Sequence, residues 1–265
     1  ADNMRKLSGN PHLNRYLEAA MPDEIINGFR MHYELYGSGP ALVMIHGGLG
    51  GGEGSAATVT NHATILDKDY QLIFYDRRGA GQSETPVDGY SIDNQTEDLH
   101  SLLVHLGVSK ANILGSSAGG PIALLFALDH PEMTENLILI NTMSYAQKEQ
   151  QAVRQRELDQ LKANTASVGK EASVEQALES RNPGLREQQP ARFQNLKEVN
   201  LRQFDGLAKT IQSYLDIGDS IESRLSEIAI PTLIAHGDAD TRIPVNCGRQ
   251  LHQAINGSEL HIIPG

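Results

Sequence analysis

Short apolar blocks separated by turn residues run through the first half of the chain: ALVMI at Ala41–Ile45, QLIFY at Gln71–Tyr75, ANILG at Ala111–Gly115 and LILIN at Leu137–Asn141. Blocks this short, without alternation, predict strands buried on both faces of a parallel sheet. Upstream, Glu24–Gly37 alternates partly around Asn27-Gly28, a dipeptide that favours a tight hairpin turn. Between the blocks the period changes. Ile92, Leu99, Leu102, Leu103 and Leu106 recur at helical spacing, and Ile122–Leu128 runs apolar until His130-Pro131 stops it. Strand alternating with helix predicts an α/β chain with a doubly wound, mostly parallel sheet.

After Asn141 the alternation ends. From Tyr145 to about Glu227 the chain reads as several helices rich in Gln, Glu, Lys and Arg, with no strand pattern. Strand signals resume at PTLIA, Pro231–Ala235; a helix follows over Cys247–Ile255, and ELHII, Glu259–Ile263, closes the sequence. The expected organisation is a core of residues 1–141 and 228–265, with a helical cap of residues 142–227 inserted after the sixth strand. Ligands of open α/β sheets bind at the strand ends, so an insert at this point predicts a lid over a site.

Composition narrows the partners. The chain has 265 residues and a net charge of -11, and an acidic surface repels nucleic-acid backbones and anionic membranes, which leaves a small-molecule substrate. Its single cysteine, Cys247, forms no internal disulfide, and no apolar run nears the roughly 20 residues of a membrane span. Ala1–Ala20 lacks the layout of a signal peptide, so a cytoplasmic location is expected, and a homo-oligomer stays open.

Candidate chemistry starts at ILGSSAGG. Ser117, not Ser116, has glycine two residues to either side, at Gly115 and Gly119. A sharp strand-to-helix turn leaves no room for side chains there, and the helix N-terminus favours negative charge beside the serine. A close-packed structural turn would use the same residues. Strand ALVMI ends in His46-Gly47-Gly48-Leu49-Gly50, a glycine loop whose N–H groups could complete an oxyanion site, with Gly48 and Ala118 as the two donors. The loop is not a phosphate cradle, because residues 47–57 hold no G-x-G-x-x-G and no G-K-[ST] follows. His46, at the loop entry, reads as structural. YDRRGAGQSE, Tyr75–Glu84, reads as a turn tied by Asp76 and Arg77, with Gly79 and Gly81 supplying unusual backbone angles and no chemistry assigned. Past PTLIA, Asp238 and Asp240 are both placed to orient an imidazolium; with His236 they also form a poor metal set, since neighbours in one loop rarely converge on one ion.

These motifs resemble the α/β-hydrolase fold serine hydrolases over nearly the whole chain. The resemblance rests on H-G-G at 46–48, D-x-R-G-x-G-x-S at 76–83, G-x-S-x-G at 115–119 and G-x-x-D at 237–240, in the family's order. It implies Ser117 as nucleophile, Asp240 rather than Asp238 as the acid, Gly48 and Ala118 as oxyanion donors, the insert as a cap, and no cofactor. The family's histidine follows the acid, usually after the last strand. Here only His252 and His261 lie beyond Asp240, one in a helical pattern and one inside the strand, and the family's G-H dipeptide would begin near Gly265. The expectation is that the base lies beyond Gly265, with His261 the weak candidate inside the chain.

The implied activity is hydrolysis of a small-molecule ester, lactone or related acyl bond through an acyl-enzyme. HGGLGG looks like the HGGPGG of proline iminopeptidases, with Leu49 in place of their proline, and the fold also supports carbon–carbon bond hydrolysis. Dehalogenases and epoxide hydrolases of this fold use an aspartate nucleophile, which Ser117 disfavours. A small-molecule receptor or a catalytically inactive homologue is the alternative of another class.

Overall fold

In the computed structural model, residues 23–48, 54–55, 65–145 and 147–265 are described; the Ala1–Ala20 segment and Leu49-Gly50 of the glycine loop lie outside them. Eight strands form one sheet in the order β1-β2-β4-β3-β5-β6-β7-β8. They are β1 (Asp23–Ile26), β2 (Phe29–Tyr36), β3 (Ala41–Ile45), β4 (Gln71–Tyr75), β5 (Ala111–Ser116), β6 (Thr134–Ile140), β7 (Thr232–Gly237) and β8 (Glu259–Ile263). β2 pairs antiparallel with β1 and β4, and every other pairing is parallel. The hairpin expected at Asn27-Gly28 forms with both residues at positive φ, 45° and 80°, as its two-residue turn requires.

The apolar blocks bury both ways. Val43, Ile45, Ile73, Tyr75 and Ile113 face one core with α1 (Ile92–His105), α2 (Gly120–Asp129) and α6 (Val245–Ala254). Leu42, Met44, Leu72, Phe74 and Leu114 alternate with them and pack on the opposite face. Covering on both faces removes the polar half of the strand pattern. Towards β8 that second face opens: Ile138 and Ile140 are half-buried, Leu233 is 37% exposed and Ile263 55%. LILIN therefore departs from the fully buried strand expected of it, and ELHII is open on the same side, because no described element covers it.

Between β6 and β7 the chain builds α3 (Lys148–Arg181), α4 (Leu185–Gln188) and α5 (Pro190–Asp216). Gly169, at φ 84° and ψ 167°, breaks α3 in two. Val174, Leu178, Leu185, Phe193 and Leu196 form a small apolar cluster of their own. The last turns of α5 and the residues after it, Tyr214, Ile217, Ile221 and Leu225, join the main core instead. Among the described residues no helix is long and apolar enough to cross a membrane.

One ion pair inside the core ties the hairpin, the loop after β4 and α1 together. Arg78 donates to Asp98 through Nε at 2.7 Å and Nη2 at 2.5 Å, its guanidinium lies 4.5 Å from the Phe29 ring, and Asn27 Nδ2 donates to the same carboxylate at 2.8 Å. Both charges are buried. Replacing one partner strands the other without solvent, so Asp98→Ala should lower stability by about 3–5 kcal/mol, read as a lower urea midpoint at unchanged slope.

Candidate active site

β3 and β5 are neighbours, with Ile45 opposite Gly115, although β4 lies between them in sequence and pairs on the other side of β3. The chain direction across the sheet reverses at this pair, which leaves a crevice at their carboxyl ends. Both glycine motifs open into it. Ser117 follows β5 at φ 51°, opening a single 3-10 turn, Ser117–Gly119, before α2 begins at Gly120. The bend is tight enough that a Cβ on Gly115 would lie 2.6 Å from Ala123 Cβ, one on Gly119 2.4 Å from Ile45 O, and one on Gly120 1.9 Å from Thr142 Oγ1. Gly47 of the β3 loop approaches from the other side, where a Cβ would lie 3.0 Å from Ser117 Cβ. The half-buried Ser117 therefore sits between the two loops that carry the Gly48 and Ala118 N–H groups.

His46 is fully engaged. Nε2 accepts the Arg77 N–H at 3.1 Å, so Nδ1 carries the proton and donates to Gly47 O at 2.7 Å. Burial, reinforced by the Arg77 charge, holds its pKa down to about 3. Asp240 accepts from the Arg242 and Ile243 amides at 2.8 and 2.9 Å, which fixes its carboxylate at the end of β7. Asp238 accepts the Gly265 N–H at 3.1 Å. His236 turns away from both aspartates and pairs with Ile243 O at 2.8 Å, so the three do not form a metal set. Glu97, His100 and His130 do converge, their ligand atoms within 4.8 Å of one another. Their two rings stack face to face, 4.4 Å apart, which points no two nitrogens at one ion, and they lie a helix length, about 15 Å, from the elbow.

Neither histidine beyond Asp240 pairs with Ser117 or Asp240. His261 pairs with Ala235, which pairs with Ile140, which pairs with Ser116. Three strand spacings, about 14 Å, thus separate it from the elbow, and its exposed ring lies 3.8 Å from Glu259. His252 pairs with Ser258 at 3.0 Å.

Three residues beside the site have partners the sequence did not show: Tyr214 and Thr142 carried no signal, and Arg77 read only as a turn residue. Arg77 is only 3% exposed and has no carboxylate partner among the described residues. Its guanidinium instead donates to Gly47 O at 3.4 Å, to Gly48 O, to Gln95 Oε1 at 3.3 Å and to the Tyr214 hydroxyl at 2.9 Å. Tyr214, near the end of α5, passes the chain on by donating to Ala118 O. Thr142, just past β6, donates to Ser117 O at 2.5 Å. Asp76 behaves as expected of a turn residue, accepting from Ser55 N at 2.6 Å and Gln82 N at 2.7 Å. Further along α5, Gln203 Nε2 donates to Gly81 O at 2.6 Å and Lys209 to Val87 O, so this helix lies against the loop after β4.

Known proteins share this architecture. The family described as alpha/beta hydrolase fold matches residues 40–265. A protein named "Putative carbamate hydrolase RutD" from Klebsiella pneumoniae is 32% identical over 85% of this chain and 84% of its own length. A proline iminopeptidase from Lactobacillus acidophilus is 29% identical over 92% and 88%. Among solved structures, the enol-lactonase from Burkholderia xenovorans LB400 is similar in fold, with a TM-score of 0.70 at 24% identity over 91% of both chains.

Because the His46 pKa is depressed, the folded protein resists a proton that the unfolded chain accepts below about 6.5. The stability this histidine contributes is complete above pH 6.5 and is lost as pH falls towards 3. The expected outcome in a ring-labelled NMR titration is a His46 imidazole whose shifts stay constant from pH 8 to pH 4.5.

Proposed function

The chain belongs to the alpha/beta hydrolase fold family, and on that premise we propose that it is a serine hydrolase acting on a small-molecule carbonyl: an ester, a lactone or a related acyl group. The observation that carries this reading is the seat of Ser117, alone at positive φ on the elbow, with a glycine loop pressed against its Cβ. In the proposed reaction the Ser117 hydroxyl attacks the carbonyl carbon and gives its proton to a histidine oriented by Asp240. The carbonyl oxygen takes up negative charge against the Gly48 and Ala118 N–H groups. The leaving group departs with that proton, and water then attacks the acyl-enzyme by the same route and releases the acid. The base is not among the described imidazoles. The insert is proposed as the cap: α5 lies over the ends of β4 and β5, where it reaches Gly81, Val87 and Ala118.

Relatives named as a putative carbamate hydrolase, a proline iminopeptidase and an enol-lactonase support a hydrolytic reaction and leave the substrate open. The full-length protein should hydrolyse a simple aryl ester and take a single fluorophosphonate adduct on Ser117. Ser117→Ala should lower kcat/KM by at least about a thousandfold. Turnover that survives this substitution, or an adduct on another residue, would remove Ser117 as the nucleophile.

A further inference from the structure

The two proposed oxyanion donors are backbone N–H groups, and each belongs to a peptide whose carbonyl points the opposite way. The Gly48 N–H shares a peptide with Gly47 O, and the Ala118 N–H shares one with Ser117 O. Both carbonyls are held by side chains. Gly47 O accepts from His46 Nδ1 at 2.7 Å and from Arg77 Nη2 at 3.4 Å, while Ser117 O accepts from Thr142 Oγ1 at 2.5 Å. The geometry points to Thr142 on one side, and His46 with Arg77 on the other, as positioning residues that aim and polarise the two donor peptides from behind.

This inference rests on the hydrolase reading of the site. A planar trans peptide is one rigid unit, so pinning its oxygen fixes the direction of its hydrogen. A bond accepted by the carbonyl also draws electron density from the nitrogen, and hydrogen bonds in series strengthen one another by about a tenth to a third each. Donors set before the charge develops need no reorganisation at the moment of reaction. The surroundings fit that use. Thr142 is 1% exposed, so water cannot replace its hydroxyl, and the missing side chain of Gly120 makes the space it occupies. His46 donates as a neutral ring, since burial keeps it unprotonated. Arg77 places a buried charge, with no carboxylate partner among the described residues, behind the Gly47–Gly48 peptide, where it favours negative charge forming on the far side. Ordinary packing would ask only for the shape of Thr142, whereas positioning asks for its hydroxyl.

Thr142→Val keeps the shape and deletes the hydroxyl, and Thr142→Ser keeps the hydroxyl and deletes a methyl group. With a simple aryl ester as substrate, Thr142→Val is expected to lower kcat about 5- to 30-fold. That is less than the hundredfold or more expected for losing a donor itself. KM should stay within about twofold, and Thr142→Ser should return kcat to within about threefold of the natural protein. Melting temperatures of both variants are measured alongside. A Thr142→Val kcat within twofold of the natural protein, or equal losses in the Val and Ser variants, overturns the positioning role while Ser117→Ala remains inert. Natural protein without Ser117-dependent turnover overturns the hydrolase reading and this inference with it.

Discussion

A strand can turn into a helix within two residues only where the inside of the bend carries no side chains, and the geometry around Ser117 follows from that restriction. Gly115, Gly119 and Gly120 clear the space that Ala123, the Ile45 carbonyl and Thr142 then fill. The same closeness brings Gly47 of the neighbouring strand's loop onto the serine Cβ. A larger residue at any of these positions would push the two loops apart, and with them the two amides proposed as oxyanion donors. Packing here is a condition for the electrostatics, because backbone dipoles lose their hold on a developing charge within an ångström or so of displacement.

Around this bend the protein has invested in buried polar connections. Arg78 and Asp98 close a full ion pair, so the core keeps two charges at modest net cost. Arg77, the adjacent residue, has no carboxylate partner among the described residues and directs its donors to carbonyls and to Tyr214. The difference separates their duties: Arg78 fastens the hairpin and α1, while Arg77 spans the crevice. His46, Arg77, Thr142 and Tyr214 come from four separate segments, so the crevice is held by the tertiary fold and not by either loop alone.

The strands and their alternation with helices, the elbow motif and the helical stretch between β6 and β7 were legible because each rests on local chemistry: apolar blocks for the strands, glycine spacing for the bend, a break in rhythm for the helices. Thr142 and Tyr214 were not legible, since a threonine after a strand and a tyrosine in a polar helix have no local pattern. Their roles exist only once β6 and α5 have been folded against Ser117 and Ala118. Arg77 was visible but read as a turn residue, because its partners lie 29 and 137 positions away. The bare face of β8 escaped for a related reason: ELHII has the composition of a buried strand, and burial depends on what is laid over it.

The insert is divided by its own packing. Its outer part, from Val174 to Phe204, keeps a private apolar cluster, whereas Tyr214 and the turn that follows belong to the main core and touch the site. Residues in the outer cluster share no partners with the donor peptides, so changes there add to changes at the site without coupling to them. On the proposed reading of these helices as a cap, substitutions in the outer cluster change what lies over the crevice while the reacting end stays as it is.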